Sequence, residues 1–119
     1  MFDKTILIFE DHKIVLEAYL IILKAAGFKV EVSQTSHDVI EKTGLYAPDI
    51  ILMDNWIPDI GGVAATRLLK EDSRYCGIPV IYISANSNIQ QLAKDAGADA
   101  YLAKPFDVDR LLDTIYSLI

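Results

Sequence analysis

The stretch Ile50-Ile51-Leu52-Met53-Asp54-Asn55-Trp56-Ile57-Pro58 decides how this chain is read. Four consecutive apolar residues stand just after Pro48-Asp49 and end abruptly on a carboxylate. A run this short, with no polar alternation, reads as a strand buried on both faces, as in parallel sheets. Proline is tolerated at the entry to such a strand, where the missing N–H costs least. The same form recurs on either side. Ile6-Leu7-Ile8-Phe9 leads into Glu10-Asp11, Val80-Ile81-Tyr82-Ile83 follows Pro79 and leads into Ser84, and Ala100-Tyr101-Leu102-Ala103 leads into Lys104. A shorter run, Val30 to Val32, is followed by Ser33-Gln34 and carries no charge at its end.

Between the runs lie segments of helical length and period, about 13–26, 37–44, 62–72, 88–96 and 107–118. Gly27 and Gly97 follow Lys-Ala-Ala and Lys-Asp-Ala, where a left-handed glycine ends a helix, and Gly44 is expected to end the second helix in the same way. In the first helix, Val15, Ala18, Tyr19, Ile22, Leu23 and Ala26 form the expected core stripe, leaving Ile14 and Ile21 nearer solvent beside Glu17 and Lys24. Strands alternating with helices imply parallel crossovers and a sheet covered on both faces. The expected fold is α/β and doubly wound, with a five-stranded parallel sheet of order 2-1-3-4-5 and five helices.

Composition narrows the function. With 119 residues, 52% hydrophobic and 24% charged, the chain is expected to be one domain over 1–119. Its net charge of −6 has the wrong sign for holding nucleic-acid phosphates or an anionic membrane. A single cysteine, Cys76, gives neither an internal disulfide nor a metal cluster. The most apolar helical stretch, Ile14–Leu23, is interrupted by Glu17 and is too short to span a bilayer. No leader is recognised ahead of it, so the expected location is cytoplasmic.

In a sheet of this order, ligands bind beyond the carboxyl ends of the strands, at the point where strand order reverses. Strands one and three are then neighbours, which brings Glu10, Asp11 and Asp54 together, with Ser84 and Lys104 on the far side of Asp54. Taken singly each has a structural reading. Asp11 can cap the first helix, Ser84 or Ser87 the fourth, Asp54-Asn55 can start a turn, and Lys104 can be a surface lysine. Jointly they suit a phosphoryl acceptor. Clustered carboxylates repel unless a cation sits among them, and an all-oxygen set suits Mg²⁺. Lys104 supplies a second cation, Ser84 a hydrogen bond, and central Asp54 the nucleophile that becomes an aspartyl phosphate.

These residues resemble a receiver domain of the bacterial two-component response regulators, a family with a flavodoxin-like sheet. The resemblance rests on Ile6-Leu7-Ile8-Phe9-Glu10-Asp11, Asp54-Asn55-Trp56-Ile57-Pro58-Asp59-Ile60-Gly61-Gly62, Ile83-Ser84-Ala85 and Tyr101-Leu102-Ala103-Lys104-Pro105-Phe106, in that order. It implies that Asp54 accepts phosphate from a phosphohistidine on a sensor histidine kinase or histidine phosphotransfer protein. Asp11, Asp54 and the backbone carbonyl of Trp56 are then the ligands of Mg²⁺ (or Mn²⁺), with Glu10 acting through water. Lys104 contacts the phosphoryl group, and the Lys104–Pro105 peptide is cis. Phosphate draws the Ser84 hydroxyl inward and Tyr101 rotates into the vacated space, altering the surface of helix four, strand five and helix five. An ordinary strand aromatic is the alternative for Tyr101.

The resemblance further implies that Trp56 and Asn86, each two residues after a site residue, tune dephosphorylation. It implies a signalling domain that assists its own phosphoryl transfer and loss rather than an enzyme, a possible phosphorylation-dependent dimer, an unknown downstream effector, and no output domain in this chain. The exposed side of the first helix is expected to dock the phosphodonor. Two departures stand out. Gly61-Gly62 replaces the usual Asp-Gly and is expected to loosen the start of the third helix, and Glu10 stands in place of a second aspartate. His12 is a turn residue, since Mg²⁺ prefers oxygen. Rival readings meet specific obstacles. An aspartate-based phosphatase or phosphomutase needs an acid two residues after the nucleophile, where Trp56 stands. A nucleotide-binding protein needs a glycine-rich loop in place of Glu10-Asp11-His12-Lys13, and a flavodoxin-like carrier has hydroxyls and glycines there. A degenerate receiver that only binds partners would not retain the whole set.

Overall fold

The computed structural model describes residues 4–119. The sheet is built from β1 (Thr5–Phe9), β2 (Lys29–Ser33), β3 (Ile50–Asp54), β4 (Val80–Ser84) and β5 (Ala100–Ala103), all parallel, in the order β2-β1-β3-β4-β5. The connecting helices are α1 (Lys13–Ala25), α2 (Val39–Tyr46), α3 (Gly61–Glu71), α4 (Ile89–Ala96) and α5 (Val108–Tyr116). Every residue of the central strands β3 and β4 is buried.

Strand alternation sorts the core into two layers. Ile6, Ile8, Ile50, Leu52, Ile81, Ile83 and Leu102 face α1 and α5, meeting Leu16, Tyr19, Leu23, Leu111 and Ile115. Leu7, Phe9, Ile51, Met53 and Val80 face the other way, onto Val39, Ala65 and Leu69 of α2 and α3, while Tyr82 packs against Ile89 and Ala93 of α4. Burying one such side chain is worth about 1.5–3 kcal/mol, so two full layers hold the strand ends in fixed register. Parallel pairing then aligns the carboxyl ends of β1, β3, β4 and β5 along one rim. At the opposite rim two carboxylates pin the strand starts: Asp49 accepts the Thr5 N–H and Asp99 the Val80 N–H, each at 2.8 Å. Among the described residues no helix is long and apolar enough to cross a membrane.

Several local expectations are corrected. Gly44 does not end α2 but lies inside it. The helix stops instead at Ala47, which adopts a left-handed φ of +46° directly before Pro48, a residue that disfavours helical backbone in its predecessor. With glycine at 44 the Tyr75 side chain lies close against α2: a Cβ there would stand 2.5 Å from its hydroxyl. The α1 stripe holds at Val15, Tyr19, Ile22, Leu23 and Ala26, which all pack into the core, but Leu16 is buried where Ala18 was expected and Ala18 is exposed. Ile14 and Ile21 are each 72% exposed. No side chain caps α1, whose N-cap is His12, nor α4, whose N-cap is Asn88. Asp11, Ser84 and Ser87 therefore have no capping role. Ser84 and Asn86 instead accept the N–H two residues ahead, from Asn86 at 2.9 Å and Asn88 at 2.8 Å, tightening the turn that leads into α4.

Gly62 also has a firmer role than a loose helix start. A Cβ there would stand 2.5 Å from the Asp54 carbonyl oxygen and 3.0 Å from the Asn55 Cα, so α3 begins in direct backbone contact with the end of β3. Gly61, with φ of +80°, makes the turn that brings it there.

Candidate functional site

The rim is assembled from four strand ends. Glu10 follows β1, and its N–H donates to the Ser33 carbonyl at 3.0 Å, extending the β1–β2 ladder by one bond. Its side chain turns inward and is only 2% exposed, with Oε2 accepting the His12 N–H at 3.2 Å. Asp11, next in the chain, is exposed. Asp54 closes β3 and is 6% exposed; its Oδ2 accepts the Trp56 N–H at 2.9 Å, an Asx turn that bends the chain away from the strand. One oxygen from each of Glu10, Asp11 and Asp54 lies within 4.8 Å of the other two.

Lys104 reaches in from β5. Its backbone N–H donates to the Ser84 carbonyl at 2.9 Å, and its Nζ donates to Asp54 Oδ1 at 2.9 Å and Glu10 Oε1 at 3.4 Å. The Lys104–Pro105 peptide is cis. Ser84, 2% exposed, pairs in register with Ala103 on the strand that ends at this lysine. Tyr101 is 40% exposed on β5, the Trp56 side chain is 79% exposed, and Asn86 lies exposed in the β4–α4 turn.

The electrostatics are those of a cation pocket. Burial first, and then the Asp54 charge, push the Glu10 carboxyl above its ordinary value. Burial would lower the Lys104 ammonium, but its hydrogen bond to Asp54 and the charges of Asp54 and Glu10 outweigh that and hold it above its ordinary value. One ammonium thus pairs with two carboxylates, and a third, Asp11, lies within 4.8 Å of both of them. A cluster of this sign and an all-oxygen donor set fit a hard divalent ion such as Mg²⁺ or Mn²⁺ and not a soft one. His12 donates only its backbone N–H to Glu10, and its side chain belongs to no ligand group among the described residues.

The β3–α3 segment that carries Trp56 is anchored from both sides, and this was not legible in the sequence. Ser36, fully buried in the β2–α2 loop, donates through Oγ to the Pro58 carbonyl at 2.6 Å and accepts the Ile60 N–H at 3.2 Å. Asn55 donates its N–H to the Ile83 carbonyl at 2.9 Å, accepts the Gly62 N–H at 3.2 Å, and accepts the Tyr82 hydroxyl on its side-chain oxygen. A serine in a polar turn carries no sequence signal of such a long-range partner. Beside the site, an apolar groove of about 530 Å³ runs between α1 and the β5–α5 turn, lined by Ile14, Val15, Tyr19, Ile22, Phe106 and Val108 among others.

A buried aspartate between a lysine and two further acids, on the rim of a sheet of order 2-1-3-4-5, has a clear match among known families: residues 6–116 fit the response regulator receiver domain. The chain belongs to that family. This receiver domain is 28% identical over 118 residues to the polar-differentiation response regulator DivK of Brucella ovis, a match covering 98% of this chain and 96% of that protein. It superposes with a TM-score of 0.90 and 25% identity on the receiver domain of a sensor histidine kinase from Pseudomonas aeruginosa PAO1, covering 98% of each chain. That structure has a magnesium ion coordinated in its active site cleft. The chemotaxis response regulator CheY4 of Vibrio cholerae shares the fold, with a TM-score of 0.90 at 22% identity and coverage of 99% of this chain and 100% of that one. Receiver domains serve two-component signalling, and the acidic cluster of this one is able to hold a metal ion.

Proposed function

We propose that this receiver is a phosphorylation-dependent switch in which Asp54 takes a phosphoryl group from a phosphohistidine on a sensor histidine kinase or a histidine phosphotransfer protein. The observation that carries the reading is the fixed orientation of the Asp54 carboxylate, with Oδ1 held by Lys104 and Oδ2 by the Trp56 N–H, beside two further carboxylates. A carboxylate held in one pose at the open end of a sheet is prepared for in-line attack. In the transfer an Asp54 oxygen forms a bond to phosphorus while the bond from phosphorus to the donor nitrogen breaks, and the donor histidine leaves with its electron pair. Lys104 stays close to the developing charge on the phosphoryl oxygens, and its raised proton affinity keeps it cationic at neutral pH. Asp11, Asp54 and the Trp56 carbonyl would hold Mg²⁺ or Mn²⁺, with Glu10 acting through water; when bound, the ion supplies charge neutralisation for the incoming phosphoryl group.

Phosphorylation then provides Ser84 with a new acceptor. Its hydroxyl is buried at the end of β4 and its oxygen is engaged by the Asn86 N–H, so moving it also moves the turn into α4. Half-exposed Tyr101, on the adjacent strand, would then turn inward and alter the α4–β5–α5 surface read by a downstream partner. The apolar groove along α1, with Ile14 and Ile21 exposed beside it, suits the helical phosphodonor. Trp56 and Asn86 flank the site at the positions proposed to tune phosphate loss.

Incubation with Mg²⁺ and acetyl phosphate tests the core of this reading. Here the Asp54–phosphorus bond forms as the bond to the acetate oxygen breaks. A labile phosphoryl adduct detected by intact mass is expected. Its absence in the parent, or its persistence in Asp54→Asn, overturns the assignment.

A further inference from the structure

We propose that Tyr82 is a positioning residue for the cation pocket, acting through the hydrogen bond from its hydroxyl to the side chain of Asn55. The inference rests on the receiver reading and adds to it a residue outside the rim. Asn55 sits in the chain between the two residues that matter most there, Asp54 with its carboxylate and Trp56 with its carbonyl. Its backbone leaves little freedom in one direction: the N–H is tied to Ile83 of β4 and the carbonyl to Gly62 of α3. Those bonds fix where Asn55 is. The peptide that follows is held at its carbonyl by Gly62 and at its Trp56 N–H by the Asp54 carboxylate, and the Asn55 side chain adds a further tie to the same residue, from β4.

That side chain is held by a rigid partner. The Tyr82 ring is wholly buried, wedged among Ile89 and Ala93 of α4 and flanked by Val63 of α3, so its hydroxyl cannot follow a moving loop. The phenol is pushed up to about 12 by burial and by the Asp54 charge, so it remains a donor throughout the physiological range. A buried hydroxyl of this kind needs a partner, and Asn55 is the one it has. The pair therefore ties the β3–α3 turn to the helical layer through β4. Losing either half frees the turn on one side while Ser36 still holds it at Pro58 and Ile60.

The test is a double-mutant cycle on the full chain with Tyr82→Phe, Asn55→Ala and the double variant. Mg²⁺ titrations are followed by fluorescence of Trp56, the single tryptophan, with urea midpoints measured alongside. Each single variant is expected to weaken Mg²⁺ about three- to tenfold, the range of one hydrogen bond, and the double to be no weaker than the worse single. Labelling by acetyl phosphate slows in step at low Mg²⁺ and recovers at saturating Mg²⁺. A Tyr82→Phe protein that loses stability but binds Mg²⁺ as the parent does overturns the proposal, as do effects that multiply in the double. If Tyr82→Phe does not fold, Asn55→Ala on its half-buried turn decides alone, an unchanged Mg²⁺ affinity overturning the proposal. A parent that neither binds Mg²⁺ nor takes phosphate overturns the receiver assignment together with this one; a normal parent with indifferent variants overturns only this one.

Discussion

Replacing Gly62 by alanine isolates the contact between α3 and the site. The new methyl would stand 2.5 Å from the Asp54 carbonyl oxygen, 3.0 Å from the Asn55 Cα and 3.2 Å from the Asp54 carbonyl carbon. All three are backbone atoms at the end of a fully buried strand, so no side chain can swing aside and either α3 or the end of β3 must shift. Forced insertion of a methyl into packed structure costs about 1–3 kcal/mol. Against this, alanine is better than glycine within a helix by up to about 1 kcal/mol. The expected net loss is about 1–2 kcal/mol, or roughly 4–10 °C in Tm for a domain of this size. The displacement falls on Asp54 and on the Gly62–Asn55 hydrogen bond, so Mg²⁺ affinity and acetyl phosphate labelling should fall as well. Gly77→Ala is the matched control. Nothing lies within 4 Å of its added Cβ, and lower unfolded-state entropy should leave it neutral or stabilised by about 0.4–1 kcal/mol. Urea unfolding with and without Mg²⁺ reads both quantities. If Gly62→Ala matches Gly77→Ala in midpoint and in Mg²⁺ affinity, the close approach of α3 to Asp54 has no energetic consequence and the reasoning fails.

Adding Mg²⁺ should stabilise the parent by about 2.7 kcal/mol at one hundred times its Kd, because the unfolded chain has no preformed pocket; a Tm insensitive to Mg²⁺ would contradict the fit of the acidic cluster. Alkaline stability should carry a signature of Tyr82. Its folded pKa is raised from 10.0 to about 12 by burial and then by Asp54, so the folded state keeps its proton longer than the unfolded one. That contribution is complete below about pH 10 and is lost as pH rises to about 12, and Tyr82→Phe should flatten this part of the urea-midpoint profile. Tyr19 and Lys104, also raised, supply the slope that remains. Trp56→Ala should shorten the life of the phosphoryl adduct if the exposed indole, two residues after Asp54, shields it from water; an adduct lasting as long as the parent's would remove its shielding role.

The architecture was legible because each signal was local. Three unbroken apolar runs are compatible only with strands covered on both faces, and the glycines at 27 and 97 ended their helices with φ of +96° and +80°. Gly44 misled because it lies inside α2, with the Tyr75 hydroxyl, from elsewhere in the chain, lodged against it. The α1 stripe was misread only at Ala18 and Leu16, because Val15, Leu16, Ala18 and Tyr19 are all apolar or amphipathic. Helical period alone then leaves the edge of the buried face open. A helix that is apolar nearly all round takes its orientation from the sheet it meets.

The site divides along the same line. Glu10, Asp11, Asp54, Ser84 and Lys104 were recoverable because topology alone carries strand ends to a common rim, whatever lies between them. What stays hidden is the support. Ser36 reaches across 22 residues to Pro58, and Tyr82 reaches across 27 to Asn55, through side chains that look like turn and core residues in their own neighbourhoods. These contacts depend on loop geometry that no spacing rule specifies. They bear on the same short segment, the turn after β3, from its two ends. A carboxylate on a strand is placed by the sheet, whereas a backbone carbonyl in a turn is placed only by whatever grips the turn. Variation in Mg²⁺ affinity between receivers with the same acidic set should therefore arise in the residues that hold this segment, before it arises in the acids themselves.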